Sequence, residues 1–219
     1  MRRGTGERRR VDAVQRPFNL DSDAQSSGAP RSPGWVVGSV LLERAYVLAA
    51  EAHGSQRRAT DQALFLDHVV EVATLLHDAR FDEDMVAAGL LHDAVERGTA
   101  TETRLRAEMG DGITSLVMAL TEDGSIESFA ERKEALRGQV RAAGLQAIAI
   151  FAADKLSDIR GLRRGIDASR ASIEARMGTT VAGMAGHYTE SVDMIEESDP
   201  GCRFVPPLHE ELAGLAQGR

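Results

Sequence analysis

The run Leu90-Leu91-His92-Asp93-Ala94-Val95-Glu96 gathers side chains that can bind a metal and move a proton. His92 and Asp93 are neighbours, so on a helix they stand about 100° apart and can grip one ion from the side. Glu96 follows His92 by four residues and Asp93 by three, which puts it over the same helical patch. A nitrogen ligand, an oxygen ligand and a spare carboxylate suit a divalent metal that activates water. The plain alternative is a helix end that carries polar residues. A bare His-Asp pair is usually that; two leucines leading in and a Glu at this offset make a narrower pattern.

Two further ligand candidates come from helical runs elsewhere. His68 precedes Val69 and Val72 on the apolar side of its segment. Asp154 interrupts Ala147-Ile148-Ala149-Ile150-Phe151-Ala152-Ala153, and a carboxylate inside such a run is costly to bury unless it is paired or bound to a cation. Lys155 follows it, so an ion pair is the alternative account. His68, His92, Asp93 and Asp154 form a mixed N/O set that leaves positions open for water and a phosphate oxygen. Its composition points to Mn²⁺, with Fe²⁺ as the second choice; a closed structural zinc site would favour thiolates. Cys202 is the only cysteine, so no internal disulfide forms and a reducing cytoplasm is expected.

These residues need helices to position them, and helical periodicity runs through the chain. The spacing predicts helices over 36–53, 66–79, 82–96, 102–109, 112–120, 126–143, 145–162, 168–197 and 208–217. Thr99, three residues before Glu102, reads as the cap of the fourth. Nothing reads as a sheet, so the expected class is all-α. Residues 1–33 hold arginine pairs and a Ser/Gly/Pro-rich piece with little to bury, and are expected to be a disordered tail. Residues 34–199 would form the helical domain and 200–219 a C-terminal helical extension. No apolar stretch reaches the length of a membrane span. The net charge of −8 argues against a general nucleic-acid binder. A homo-oligomer is compatible with this composition.

The set H…HD…D, here His68, His92-Asp93 and Asp154, resembles the signature of the HD phosphohydrolase superfamily. Ala52-His53-Gly54-Ser55-Gln56-Arg57-Arg58 is similar to the first motif of its RelA/SpoT-type alarmone hydrolases, which include small single-domain members. Leu90 to Glu96 resembles their central motif. Glu131-Arg132-Lys133, Ala153-Asp154-Lys155-Leu156 and His187-Tyr188 resemble later landmarks. The resemblance covers roughly residues 40–195. It implies an HD-domain helical bundle that removes pyrophosphate from the 3′ position of (p)ppGpp with a manganese-activated water. By that resemblance His68, His92, Asp93 and Asp154 hold the metal, and Glu96 orients or deprotonates the water. Arg57 and Arg58 face the nucleotide, and Lys155 adds positive charge near the phosphates.

The chain departs from that pattern at chosen points. Arg97 stands where the family has the second acid of a Glu-Asp pair, and is assigned to a substrate phosphate or, alternatively, to an ion pair with Asp93. Asp158 stands where the family has Asn near the base. Leu64-Phe65 and Val69 replace Pro-Tyr and Pro around the first ligand. Two other readings stand beside the leading one: an HD hydrolase for another nucleotide phosphate, and a non-catalytic HD protein that binds nucleotide.

Overall fold

The computed structural model describes residues 32–216. The expected disordered tail falls almost wholly outside the described residues, as does the end of the C-terminal extension. Eight helices are described: α1 (Val40–His53), α2 (Phe65–Asp78), α3 (Glu83–Leu91), α4 (Glu102–Leu120), α5 (Phe129–Ala143), α6 (Leu145–Met177), α7 (Val181–Ser198) and α8 (Val205–Ala216). Among the described residues, β-pairing is confined to one isolated bridge, Arg57 to Leu64. The all-α expectation holds. No described helix is long and apolar enough to cross a membrane.

The helix starts are chemically marked. Ser39, Asp82, Thr101, Ser128 and Thr180 each accept a backbone N–H of the first turn with their own side chain, the N-cap arrangement that satisfies donors with no partner inside the helix. Thr101 therefore caps α4, not Thr99, whose N–H is taken by the Ala52 carbonyl at 3.2 Å. The two helices expected on either side of Gly110 form one kinked element, with Gly110 at φ 83° as the break. The helix expected to end at 162 continues to Met177, broken only at Ser169. There the Ser169 hydroxyl accepts the Ser172 N–H at 3.4 Å and restarts the helix. Residues 181–198, expected as the tail of one long helix, are a separate α7.

The largest revision concerns the central motif. α3 stops at Leu91, and residues 92–97 form successive turns rather than more helix. The Ala94 N–H bonds to Leu91 O at 2.9 Å, and the N–H groups of Arg97 and Gly98 both bond to Asp93 O, at 2.9 and 3.2 Å. Helical spacing is thus only an approximate guide to where Glu96 sits.

Two helices make the centre. Every residue of α3 from Met85 to Leu91 is buried, as is every residue of α6 from Ala147 to Ser157. A helix apolar on all sides belongs in a core. α3 packs against α1, α2, α4 and α6, while α6 also meets α2, α5, α7 and α8. His92 at the end of α3 and Asp154 on α6 are therefore presented from the two most enclosed elements. α2, packed on both, brings His68 between them.

Candidate functional site

His68, His92, Asp93 and Asp154 converge in one place, each less than a tenth exposed. Asp154 Oδ1 lies 3.3 Å from His68 Nε2 and 3.4 Å from His92 Nε2. Asp93 Oδ2 lies 3.9 and 3.6 Å from the same two nitrogens. His68, His92 and Asp154 form the tightest set, each offering a ligand atom within 4.8 Å of the others. Asp93 borders it.

The hydrogen bonds behind the imidazoles fix which nitrogen is bare. His92 Nδ1 donates to the Gly89 carbonyl at 2.8 Å. His68 Nδ1 donates to Ser157 Oγ at 2.9 Å, and that hydroxyl donates to Glu71 Oε2 at 2.8 Å. In both rings Nδ1 is a donor, so Nε2 is the nitrogen that can offer its lone pair to a metal, the outer-shell arrangement of metal-binding histidines. His92 Nε2 is buried and has no hydrogen-bond partner among the described residues.

Charge makes the same case. Burial opposes a proton on His92, yet the carboxylates of Asp93 and Asp154 outweigh it and push the imidazole up to about 9. Burial likewise opposes the Asp154 charge, but Lys155 and the two imidazoles hold its carboxyl well below the usual range. The pocket between these groups attracts a cation, and a metal competes there with a proton on the same ligands. Two neutral imidazoles and hard carboxylate oxygens fit a divalent ion.

Glu96 lies beside this set without joining it. Its Oε2 accepts the Glu122 N–H at 2.9 Å, and Oε1 lies 3.5 Å from Arg97 Nη2. Burial first, and Asp93 second, raise its pKa above the ordinary carboxylate value. Arg97 is half exposed at the rim, its Nε 3.5 Å from Asp93 Oδ2 and its guanidinium 6.0 Å over the Phe65 ring. The ion pair with Asp93 is thus present.

The two loop arginines separate. Arg58 is 4% exposed and its Nη2 donates to Asp158 Oδ1 at 3.0 Å. Arg57 is exposed, lies outside the cavity wall and donates to the Gln62 carbonyl at 2.7 Å, closing its own loop. Lys155 bridges Asp154 Oδ2 at 2.7 Å and Asp158 Oδ2 at 3.2 Å. Asp158, one turn after Asp154, thus offsets both Arg58 and Lys155.

The cluster opens into a cavity of about 470 Å³, within the span of small-molecule sites. His92, Asp93, Glu96, Arg97, Arg58, Asp154, Lys155 and Asp158 all line it. So do residues that the sequence reading gave no role. Glu122 accepts Arg132 Nε at 2.8 Å and pairs closely with Lys133. Burial opposes its charge, but Lys133 and Arg132 outweigh this and lower its pKa. Glu122 sits in an irregular segment with no periodic signal; Arg132 and Lys133 had only their motif similarity. His187, known from the sequence only by its motif similarity, also faces the cavity. Arg137 donates to its Nδ1 at 3.2 Å, and burial, then Lys155, Lys133 and Arg137, depress its pKa to about 2, keeping it neutral.

Comparison with known proteins gives a consistent result. Residues 45–186 match the model of the HD domain. The chain is 32% identical over 177 residues to a GTP pyrophosphokinase of Brucella suis biovar 1 (strain 1330), covering 78% of this chain and 23% of that protein. It is 29% identical over 123 residues to a guanosine-3′,5′-bis(diphosphate) 3′-pyrophosphohydrolase of Aquifex aeolicus (strain VF5), covering 55% and 18%. The chain thus spans about a quarter or less of these relatives' length. Among solved structures, a metazoan orthologue of SpoT described as hydrolysing ppGpp superposes with a TM-score of 0.66 at 23% identity, over 84% of this chain and 97% of that one. A protein of Listeria monocytogenes EGD-e gives 0.60 at 27% identity, over 68% and 99%.

Proposed function

This chain belongs to the HD-domain family, and on that premise we propose that it is a metal-dependent phosphohydrolase that cleaves the 3′-pyrophosphate of (p)ppGpp. The observation that carries the reading is the convergence of His68 Nε2, His92 Nε2 and Asp154 Oδ1 at the floor of a nucleotide-sized cavity. The name of the Aquifex relative, a guanosine-3′,5′-bis(diphosphate) 3′-pyrophosphohydrolase, supports the substrate class.

His68, His92, Asp93 and Asp154 would hold one divalent ion, Mn²⁺ being the first choice and Fe²⁺ the second. Such an ion supplies Lewis-acid stabilisation of a phosphoryl group and lowers the pKa of a water. The chain's own residues do the rest. Glu96, with its raised pKa, takes the water proton. The water oxygen bonds to the phosphorus attached to O3′, the P–O3′ bond breaks, the departing O3′ takes up a proton returned by Glu96 or solvent, and ppGpp yields GDP and pyrophosphate. Lys155 holds Asp154 in place and adds positive charge beside the reacting phosphate. Arg58, anchored by Asp158, presents a fixed guanidinium to the nucleotide. Arg97 at the rim meets a substrate phosphate by giving up part of its pairing with Asp93.

One observation favours a second reading, the same chemistry on another nucleotide with a 2′- or 3′-phosphate. Asp158 sits against both Arg58 and Lys155, so part of their charge is spent within the protein. A nucleotide panel assayed with Mn²⁺ decides. The expected result is conversion of ppGpp to GDP and pyrophosphate ahead of every other nucleotide tested. Faster cleavage of a different phosphorylated nucleotide selects the second reading, and cleavage of none overturns both.

A further inference from the structure

Behind His68, polar groups form a chain that crosses three helices. His68 Nδ1 bonds to Ser157 Oγ at 2.9 Å, and that hydroxyl donates to Glu71 Oε2 at 2.8 Å. Glu71 Oε1 accepts Arg160 Nη1 at 3.3 Å, and Arg160 Nε donates to Glu211 Oε1 at 3.2 Å. The chain passes from α2 to α6, back to α2, again to α6, and ends on α8. Its spacing is helical. Glu71 follows His68 by three residues, and Ser157 and Arg160 follow Asp154 by three and six, so each set shares one face of its helix. Ser157, Glu71, Arg160 and Glu211 all lie outside the cavity wall.

The far end is clamped. Glu211 Oε2 pairs closely with Arg163, and Arg164 Nη2 lies 3.8 Å from Glu71 Oε2. α8 itself is anchored by Leu208 and Leu215, both buried in the core. Glu71 thus stands between a buried serine on one side and two guanidiniums on the other.

The chemistry gives the chain a direction. A hydroxyl has one proton, and an ionised carboxylate only accepts. Glu71 takes the Ser157 proton, which leaves a Ser157 lone pair toward the imidazole. His68 must then present Nδ1–H, and Nε2 is free. Asp154 pulls the other way, since its Oδ1 lies 3.3 Å from that Nε2 and would favour a proton there. His92 needs no such chain, because the Gly89 carbonyl beside it accepts from its Nδ1. His68 depends on side chains for the same result.

We propose that Glu71 is a positioning residue of the metal site: through Ser157 it holds the His68 proton on Nδ1, and through Arg160 it is itself held by Glu211. The C-terminal helix therefore supports a metal ligand from outside the cavity. This inference rests on the proposed function for the ligand role of His68.

Mn²⁺ titration of the chelator-stripped protein tests it, with Glu71→Gln as the near-isosteric variant. Arg160 keeps the amide oxygen in the Oε1 place, which turns the amide N–H₂ onto Ser157. The hydroxyl then gives its proton to His68 Nδ1, and the ring proton moves to Nε2, the nitrogen the metal needs. Mn²⁺ affinity should fall roughly 10- to 100-fold, as it does when an outer partner of a ligand is lost. In a Ser157→Ala background the same change should add little, because the chain is already cut. Glu211→Gln should give a smaller loss in the same direction. A merely structural role would not move the second readout, ¹⁵N NMR of the metal-free protein at alkaline pH, with the His68 signal identified by its loss in His68→Gln. The parent should show Nδ1–H and Glu71→Gln should show Nε2–H. Unchanged Mn²⁺ affinity in Glu71→Gln, or a lower thermal midpoint with the parent's tautomer, makes Glu71 a helix-to-helix ion pair only and overturns the proposal. Unchanged affinity in Glu211→Gln overturns the part played by α8. The tautomer readout needs no metal, so the two ideas fail separately. A parent that binds no Mn²⁺ while its Nδ1–H still depends on Glu71 removes the metal reading and leaves the chain of bonds standing.

Discussion

Glu96 touches the Glu122 backbone and Arg97, but the convergent ligand atoms belong to other residues. Glu96→Ala should therefore bind metal like the parent and lose about a hundred- to ten-thousand-fold in turnover. Metal content and kcat, measured on one preparation, check this; a variant that loses its metal would make Glu96 a ligand. Ser157 makes the opposite prediction. Its hydroxyl holds the His68 proton on Nδ1 and is itself held by Glu71. Ser157→Ala should weaken metal binding roughly 10- to 100-fold, as losing an outer-shell partner does, and a competition titration with a metal indicator reads it. At this scale the four proposed ligands were legible because His and Asp are conspicuous inside or beside apolar runs. The choice between Arg57 and Arg58 was not. They are adjacent in a loop, where no periodicity says which side chain turns inward, and contacts with Asp158 and Gly161 decide it. Glu122 was invisible for a related reason: an acid in a loop looks like any solvated acid until Lys133 and Arg132 close on it.

Among the elements, α6 carries the most. Gly161 and Gly165, one turn apart, let the 58–60 loop lie directly on the helix. A Cβ at Gly161 would sit 2.6 Å from the Arg58 guanidinium carbon, and one at Gly165 would collide with the Thr60 carbonyl oxygen. That carbonyl is pinned by Arg176, so it cannot move aside cheaply. Gly165→Ala should cost about 1–3 kcal/mol from overpacking, more than the ~1 kcal/mol that Ala gains over Gly in a helix. The expected result is a lower thermal midpoint; a variant as stable as the parent or more so would show that the loop yields freely. Helical periodicity and capping residues made most helices legible, including the break at Gly110. The end of α3 was misread because apolar spacing continues through Ala94 and Val95. The chain leaves the helix there through Asp93 carbonyl bonds to two successive N–H groups, followed by a bond from Thr99 to α1. The bond from Thr99 to Ala52 is tertiary and leaves no local mark.

For the whole molecule, two buried helices carry proposed metal ligands to the floor of a cavity, and the wall above is rich in matched charges. The helical class was legible from composition and period alone. The cavity was not, since its wall joins residues more than a hundred positions apart, such as Thr60 and Arg176. The central claim is that this floor binds one divalent ion on which hydrolysis depends. The most direct measurement is to strip the protein with a chelator, return Mn²⁺ in steps, and follow bound metal and pyrophosphate release from ppGpp together, with Asp154→Asn as the control. The account predicts that activity rises with bound metal to a plateau at one ion per chain, and that Asp154→Asn reaches neither. Pyrophosphate release that persists in the stripped protein, or an Asp154→Asn protein that binds metal as tightly as the parent, would contradict it.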